Sequence, residues 1–237
     1  DITIKSSILE SRLIYGSKIL WFGYENVLHK IRKTNQKEFI LDKLEEHKQR
    51  LLKYPLKMEP NIKEGYGGIR ESNMMYWMAN ILYGVTNTKD LIGKQFTEEE
   101  YKKYRQALEF IFQVRNALHN IARKKQDQVT FDILPDLSTK LGFVNKPRHT
   151  KDRQCMSKLL STLHIIHNFT ATMVKKFTRQ VLFEASNIPK LKELRYKKNL
   201  YIIDNKLFCS FNTTPQTLNN LIKELIDIPT NVKEFDR

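Results

Sequence analysis

The stretch MEPNIKEGYGGIRE, residues 58–71, separates two helical segments and differs in composition from both. Its fourteen residues include one proline, three glycines, three carboxylates, one lysine and one arginine. Residues 36–54 before it are typical of a charged amphipathic helix, which Pro55 stops. Residues 70–84 after it, RESNMMYWMANILYG, predict an apolar helix that ends at Gly84. The stretch is therefore predicted to be a loop between two helices.

Apolar residues recur at helical spacing along most of the remaining chain. Thr97 is a predicted N-cap, and Glu100 stands three residues later at the capping-box position. Residues 143–150, FVNKPRHT, are predicted to form a basic loop. Further helices are expected at residues 5–32 (one helix or two), about 97–124, 133–142 and about 151–180.

The pattern changes after residue 185. NLYIIDNKLFCSF contains two β-prone runs around residues 204–206, which predicts a hairpin. Thr214 and Pro215 are typical of an N-cap and a first helical residue, so a helix is expected from there to about Asp227. We therefore predict an all-α helical bundle over residues 1–182, with a small β-hairpin and helix appendix in residues 183–237.

The composition limits the possible functions. The formal charge of the 237-residue chain is +15, but the basic residues are interleaved with carboxylates. This patterning disfavours nucleic-acid binding and suits a smaller anion, such as a nucleoside triphosphate, equally well as a partner. No apolar run approaches the roughly 18–20 residues that span a bilayer. Cys155 and Cys209 lack metal-site spacing, and the start at Asp1 without a methionine predicts a fragment.

The glycine-rich loop has features of an anion site. Gly65, Gly67 and Gly68 allow a backbone to approach a ligand closely, and the helix that begins near Arg70 is expected to offer free N–H groups. Lys63 and Arg70 add positive charge. The spacing matches neither GxxxxGK[ST] nor GxGxxG. A phosphate-binding loop and a plain turn between helices both remain open on these residues alone.

A second polar feature lies in FIFQVRNALHNIARKKQDQVTFD, residues 110–132. Arg115 and His119 are four residues apart and share one helix face beside the apolar stripe. A half-buried arginine needs an acidic partner, and the candidates are Asp127, Asp132 and Glu71. The pair is either an internal ion pair or a basic wall of a nucleotide pocket. The other histidines have no partner at ligand spacing: His164 and His167 lack a third metal ligand.

Taken together, three blocks resemble the bacterial PII uridylyltransferase/uridylyl-removing enzymes. EPNIKEGYGGIRE is similar to the family pattern EPN-[IV]-K-x-x-x-GGLRD, and the block at 110–132 is similar to its helix with R-x-x-LH. DITIKSSILESRLIYG, residues 1–16, looks like the lead-in that follows the family's nucleotidyltransferase core. The order and spacing agree over about residues 1–180.

The resemblance implies a helical domain at 1–182 between two catalytic domains, and a connector at 183–237 toward a hydrolase domain. A similar helical domain occurs in glutamine synthetase adenylyltransferases. The family transfers UMP from UTP to a PII signalling protein in nitrogen regulation and removes it again. Its transfer step uses Mg²⁺ held by an Asp-x-Asp core that is not among these residues. The resemblance therefore implies a cytoplasmic domain that is inactive alone, whose partners are a PII-like protein, a nucleoside triphosphate and the adjacent catalytic domains.

The family pattern also implies site residues. Ile69 and Glu71 replace the usual Leu and Asp, and Asp1 and Glu10 are left open as contributors to the metal site. The predicted nucleotide-binding residues are Lys63, Gly67, Gly68, Arg70, Arg115 and His119; the predicted supporting residues are Glu59, Asn61, Glu71 and Asp132. The alternative is a non-catalytic scaffold that holds catalytic and regulatory domains in register, with Lys63 and Arg70 in internal ion pairs.

Overall fold

The architecture is mostly helical. The computed structural model describes residues 2–144, 147–184, 195–197, 200–203, 206–209 and 234–235. Within these residues lie seven α helices and one short 3-10 helix, Thr88–Leu91. The α helices are α1 (Ile2–Leu9), α2 (Lys18–Lys33), α3 (Gln36–Lys53), α4 (Ile69–Tyr83), α5 (Glu98–Ala122), α6 (Leu134–Lys140) and α7 (Arg148–Glu184). The predicted helical character is confirmed for the larger part of the described residues.

The chain divides into two compact units, Asp1–Leu182 and Phe183–Arg237. The roles expected for them, a helical domain and a connector, stay predictions. The second unit contains a sheet with the order β1-β2-β3-β4. Its strands are β1 (Arg195–Lys197), β2 (Leu200–Ile203), β3 (Lys206–Cys209) and β4 (Glu234–Phe235).

The sheet is mixed. Strands β1 and β2 pair antiparallel, as do β2 and β3, where Leu200 is opposite Cys209. Strands β3 and β4 pair parallel, with Lys206 opposite Glu234. Residues 204–205 and the helix expected at about 214–227 lie outside the described residues.

Local sequence signals set the ends of two helices. The Thr97 hydroxyl accepts a hydrogen bond from the Glu100 N–H at 3.2 Å, and the Glu100 carboxylate accepts one from the Thr97 N–H at 2.8 Å. This capping box begins α5 as predicted. Helix α4 ends at Gly84, whose φ of 67° is the left-handed conformation typical of a glycine C-cap.

Helix α4 lies at the centre of the first unit and packs against α1, α2 and α3. It is buried on nearly all sides because its sequence is apolar nearly all round, with Met75, Met78 and Ile81 each at most 1% exposed. Helix α7 passes the glycine-rich loop, where the Leu163 backbone adjoins Gly67. The loop that begins α4 therefore lies at a junction between α4 and α7.

The segment predicted as one or two helices at 5–32 forms two, Ile2–Leu9 and Lys18–Lys33. The structure departs from the expectations in two other respects. Several apolar side chains of this segment, including Ile14, Leu20 and Phe22, are exposed rather than packed. The expected basic loop at 143–150 is shorter, since α7 already begins at Arg148.

Candidate functional site

The glycine-rich loop is held by an asparagine turn and by a second backbone segment. The Asn61 side-chain oxygen accepts hydrogen bonds from the N–H groups of Lys63, at 3.0 Å, and Glu64, at 2.8 Å. Asn61 also forms an antiparallel bridge with Gln128. The Ile62 N–H donates to the Asp127 carbonyl at 2.9 Å. The segment after α5 is thus fixed beside the loop, which brings the two motifs of the sequence together.

The expectation of free N–H groups at the start of α4 was wrong. The Gly68 N–H donates to the Gly65 carbonyl at 2.9 Å, and the Ile69 N–H donates to the Ile62 carbonyl at 3.1 Å. The Arg70 N–H donates to the Lys63 carbonyl at 3.0 Å. Because the loop folds back over the helix end, its own carbonyl groups satisfy donors that an anion would otherwise use.

Gly67 fits a close contact between the loop and α7. Its φ is +65°, and an added Cβ would overlap the backbone carbonyl of Leu163. Only glycine suits such a position, because it lacks a Cβ and populates the left-handed region readily. Gly68 is also confined, since a Cβ there would lie 2.7 Å from the Lys63 carbonyl oxygen. The structure therefore gives both glycines a packing role.

Glu71 is a buried carboxylate that joins the loop to α7. It is 1% exposed and accepts hydrogen bonds from the Gly67 N–H at 3.1 Å and from the Thr170 hydroxyl at 3.0 Å. The His167 ring nitrogen Nδ1 lies 3.0 Å from the same carboxylate. Burial alone would raise the pKa of Glu71, but the hydrogen bond and charge of His167, with the hydrogen bond from the Gly67 N–H, hold the pKa below its ordinary value. Tyr66 covers His167, with ring centroids 3.8 Å apart.

Arg115 and His119 converge on Asp127. The Arg115 Nε donates to Asp127 Oδ1 at 2.8 Å, and the His119 Nε2 lies 3.3 Å from the same oxygen. Lys63 Nζ is 4.0 Å from Asp127 Oδ2. Burial opposes ionisation of Asp127, yet the hydrogen bond and charge of Arg115, with smaller effects of His119 and Lys63, lower its pKa. The arrangement matches the internal ion pair, with Asp127 as the partner among the three candidates.

The remaining supporting residues, Glu59 and Asp132, differ in burial and in their contacts. Glu59 is half-buried and accepts a hydrogen bond from the Phe131 N–H at 2.8 Å, so it holds the segment after α5. Asp132 is exposed and its pKa is lowered by a hydrogen bond with Thr130. The structure does not bring Asp132 to Arg115.

Lys63 and Arg70 keep part of their charge accessible. Their side chains are 33% and 38% exposed, and both lie near Glu64, at 3.3 Å and 3.5 Å. Arg70 lines a polar cleft of about 280 Å³ between α1, α3 and α4. Arg70, one of the predicted nucleotide-binding residues, therefore faces an open cavity.

The sequence reasoning missed several residues at this site. Arg50 and Lys43 of α3, which were not predicted, line the same cleft. Glu10, which the sequence left open as a metal ligand, also lies there, with its carboxylate 2.7 Å from the Trp77 indole nitrogen. Arg50 lies in a helix rich in charged residues, so the sequence pattern does not distinguish it from the others. His167 lies 96 residues from Glu71, so no local spacing could have paired them.

Metal and membrane features were searched in the same residues. The part of the chain that the structure describes contains no group of three or more His, Cys, Asp or Glu side chains placed to hold a metal ion. Asp1, left open as a metal ligand, lies outside that part. Among the described helices, none is long and apolar enough to cross a bilayer.

Comparison with known proteins gives consistent relatives. The chain is 31% identical over 152 residues to the bifunctional uridylyltransferase/uridylyl-removing enzyme of Novosphingobium aromaticivorans, which covers 62% of this chain and 17% of that protein. It is 35% identical over 150 residues to the enzyme of the same name from Ruegeria pomeroyi, covering 62% and 16%. The Nitrobacter winogradskyi enzyme of that name is 27% identical over 221 residues, covering 86% and 24%.

The chain thus spans about a sixth to a quarter of the length of these curated relatives. No solved structure matches it. The sequence profile described as GlnD PII-uridylyltransferase matches residues 38–174, which include the glycine-rich loop, Arg115, His119 and Asp127. The chain therefore belongs to the GlnD PII-uridylyltransferase family.

Proposed function

We propose that this chain is the helical domain of a cytoplasmic PII-protein uridylyltransferase. In this role it helps to bind UTP and the protein acceptor during transfer of UMP to a PII-like regulatory protein in nitrogen signalling. The observation that carries the proposal is Arg70, a half-exposed cation on the family's glycine-rich loop that faces a polar cleft. Family membership supports the uridylyltransferase assignment.

The proposal assigns different tasks to the predicted residues. Arg70 and Lys63 supply positive charge for the triphosphate, because exposed cations on a fixed loop attract and orient phosphate oxygens. Gly67, Gly68, Asn61 and Glu59 hold that loop in place. Arg115 and His119 act through Asp127 as positioning residues for the loop.

The domain does not transfer UMP alone. Mg²⁺, which supplies charge neutralisation at the triphosphate, is proposed to be held by residues outside this chain. This chain contributes cations and one wall of the nucleotide site.

Binding of Mg²⁺·UTP to the 237-residue chain, measured by isothermal titration calorimetry, tests the proposal. We expect saturable binding that Arg70→Ala weakens about tenfold, since a charge-assisted hydrogen bond to phosphate is lost. The exposed Arg105 of α5 provides a matched control, and Arg105→Ala should bind as the unsubstituted chain does. Absence of binding, or equal binding by Arg70→Ala, would overturn the proposal.

A second assay addresses the catalytic side. The chain mixed with UTP, Mg²⁺ and a PII protein should give no uridylylated product on intact-mass spectrometry. Robust product formation would contradict the assignment of this domain as non-catalytic.

A specific observation favours a second candidate function, the scaffold. The loop donors bond internally, Gly67 packs on α7, and Asp127 joins Arg115, His119 and Lys63. A scaffold predicts that Arg70→Ala and Arg105→Ala behave alike in UTP binding, whereas changes at Gly67 or Asp127 lower stability.

A further inference from the structure

The polar cleft beside Arg70 has a composition unlike a plain gap between helices. Its lining includes three cations and three carboxylates contributed by the residue after α1, by α3, by the glycine-rich loop and by α4. The cations are Lys43, Arg50 and Arg70, and the carboxylates are Glu10, Glu46 and Glu64. The cleft therefore concentrates charge of both signs in about 280 Å³.

Arg50 is the unusual member of this set. Its side chain is only 9% exposed, and its Nε forms no hydrogen bond within the described structure. One terminal nitrogen lies 2.9 Å from His47 Nδ1, and the other lies 3.5 Å from Glu46. Buried donors are nearly always bonded, because an unsatisfied one costs free energy. Arg50 is thus a buried guanidinium with donor capacity left over.

The neighbouring carboxylates are already engaged. Glu46 accepts a hydrogen bond from Lys43 at 2.7 Å, and Glu10 accepts one from the Trp77 indole at 2.7 Å. Glu64 lies between Arg70 and Lys63. Lys43 also sits 4.4 Å from the centroid of the Trp77 ring. These contacts engage the carboxylates, whereas the Arg50 Nε is unbonded among the described residues and the contact of Arg70 with Glu64 is long, at 3.5 Å.

We propose that Arg50 and Arg70 form a phosphate-binding pair, with Arg50 of α3 completing the triphosphate site that Arg70 begins. This inference rests on the proposed function and adds to it a residue that the loop motif does not contain. An arginine suits the position because its planar fork can bind two phosphate oxygens at once. Arg50 and Arg70 approach from different elements, α3 and α4, so one anion between them also fixes the two helices relative to each other.

The carboxylates of the cleft favour a triphosphate that carries a metal ion over one that does not. A bare triphosphate would be repelled by Glu46 and Glu64, whereas a triphosphate that carries Mg²⁺ has less negative charge to repel. Phosphate oxygens must also compete with Glu64 for Arg70. The site therefore suits a metal-bound nucleoside triphosphate better than a metal-free one.

The first test compares binding of Mg²⁺·UTP to variants of the full 237-residue chain by titration calorimetry. Arg50→Met is expected to raise the Kd about tenfold, and Arg50→Lys, which keeps the charge but loses the fork, should raise it several-fold. Arg105→Met, at an exposed position of α5, is the matched control and should change the Kd less than twofold. Circular dichroism at the assay temperature checks whether each variant is folded. If Arg50→Met does not fold, the comparison uses Arg50→Lys instead.

The second test removes a competitor. Glu64→Gln should lower the Kd for Mg²⁺·UTP several-fold, because Arg70 and Lys63 then lose their carboxylate partner. A purely structural ion pair predicts no tighter binding.

A third test follows the nucleotide by fluorescence. In a Trp21→Phe variant, Trp77 of the cleft is the sole tryptophan, so its fluorescence should change when Mg²⁺·UTP is added.

The outcomes separate this inference from the proposed function. Weaker binding by Arg70→Ala, together with unchanged binding by both Arg50 variants, would overturn the Arg50 assignment and leave the proposed function standing. No binding of Mg²⁺·UTP by the unsubstituted chain would overturn both. Binding without a change in Trp77 fluorescence would place the nucleotide away from this cleft and also overturn the inference.

Discussion

The loop at residues 61–71 has two sides with different chemistry. On the side of α7, Gly67 meets the Leu163 backbone, and Glu71 is buried among His167 and Thr170. On the side of the cleft, Arg70 and Glu64 are partly exposed and lie 3.5 Å apart. On the α7 side the backbones are in close contact and the Gly67 N–H is bonded to Glu71, whereas on the cleft side the charged groups are in partial contact with water. The comparison indicates that the glycines of this loop serve packing, while its cations are available to a ligand.

The largest expected effect is on the α7 side, at Gly67. Gly67→Ala should lower the free energy of unfolding by about 3–5 kcal/mol, since the new Cβ overlaps the Leu163 carbonyl and φ is positive. Urea denaturation followed by circular dichroism measures the change.

Gly84 provides the matched control for that substitution. It has nearly the same φ, +67°, but an added Cβ would meet nothing within 4 Å. Gly84→Ala should therefore cost only the left-handed strain, about 1–2 kcal/mol. Equal losses for the two variants would mean that the loop does not pack tightly on α7.

The next effect is expected at Glu71. Glu71→Gln should destabilise the protein by about 2–3 kcal/mol at pH 7, because a buried acceptor for Gly67, Thr170 and His167 is replaced by an amide that also carries donors. Chemical denaturation of both proteins across a pH series measures this difference.

The pH dependence has a defined sign. The pKa of Glu71 in the folded protein lies below 4.5, its ordinary value, so the stability contributed by its ionised form is fully present above pH 4.5. It is lost as the pH falls below 4.5 through the folded-state pKa. The gap between the unsubstituted chain and Glu71→Gln should therefore narrow in acid. A gap that widens there would contradict the proposed carboxylate role.

These two residues also show the limits of sequence reasoning. The start of α5 at the Thr97 capping box and the end of α4 at Gly84 follow from signals within a few residues, and both were predicted. The contacts of Gly67 with Leu163 and of Glu71 with His167 join positions 96 apart, where no periodicity connects them. The glycines suggested an anion cradle because the sequence shows conformational freedom but not which backbone comes close.

The cleft side was partly foreseen for a similar reason. Arg70 was recognised because it follows glycines in a family motif, and Asp127 was one of three candidate partners for Arg115. Arg50 was not recognised because α3 carries many charges, and nothing in its local sequence shows that the side chain, like that of Lys43, becomes buried. Tertiary packing, which selects one arginine for burial, is not encoded in the local charge pattern.

A moderate effect is expected at Asp127, in the segment after α5 that is fixed beside the loop. Asp127→Asn should reduce stability by about 1–2 kcal/mol, because a partly buried carboxylate no longer balances Arg115, His119 and Lys63. Thermal unfolding monitored by calorimetry measures this loss. Asp132→Asn is the control, since that side chain is exposed and away from the cluster, and it should change stability by less than about 0.5 kcal/mol.

The smallest effect on stability is expected at Arg70. Its side chain is 38% exposed and lies 3.5 Å from Glu64, and such exposed ion pairs contribute about 0–1 kcal/mol. Arg70→Gln should therefore change the free energy of unfolding by less than about 0.5 kcal/mol, measured by the same urea titration as Gly67→Ala. A loss of stability as large as that of Asp127→Asn would show that Arg70 helps to hold the loop in place. If Arg70→Gln changes the free energy of unfolding little but weakens nucleotide binding, Arg70 acts on the ligand and not on the fold. A residue whose main role is to stabilise the fold would change the unfolding curve as well as the Kd.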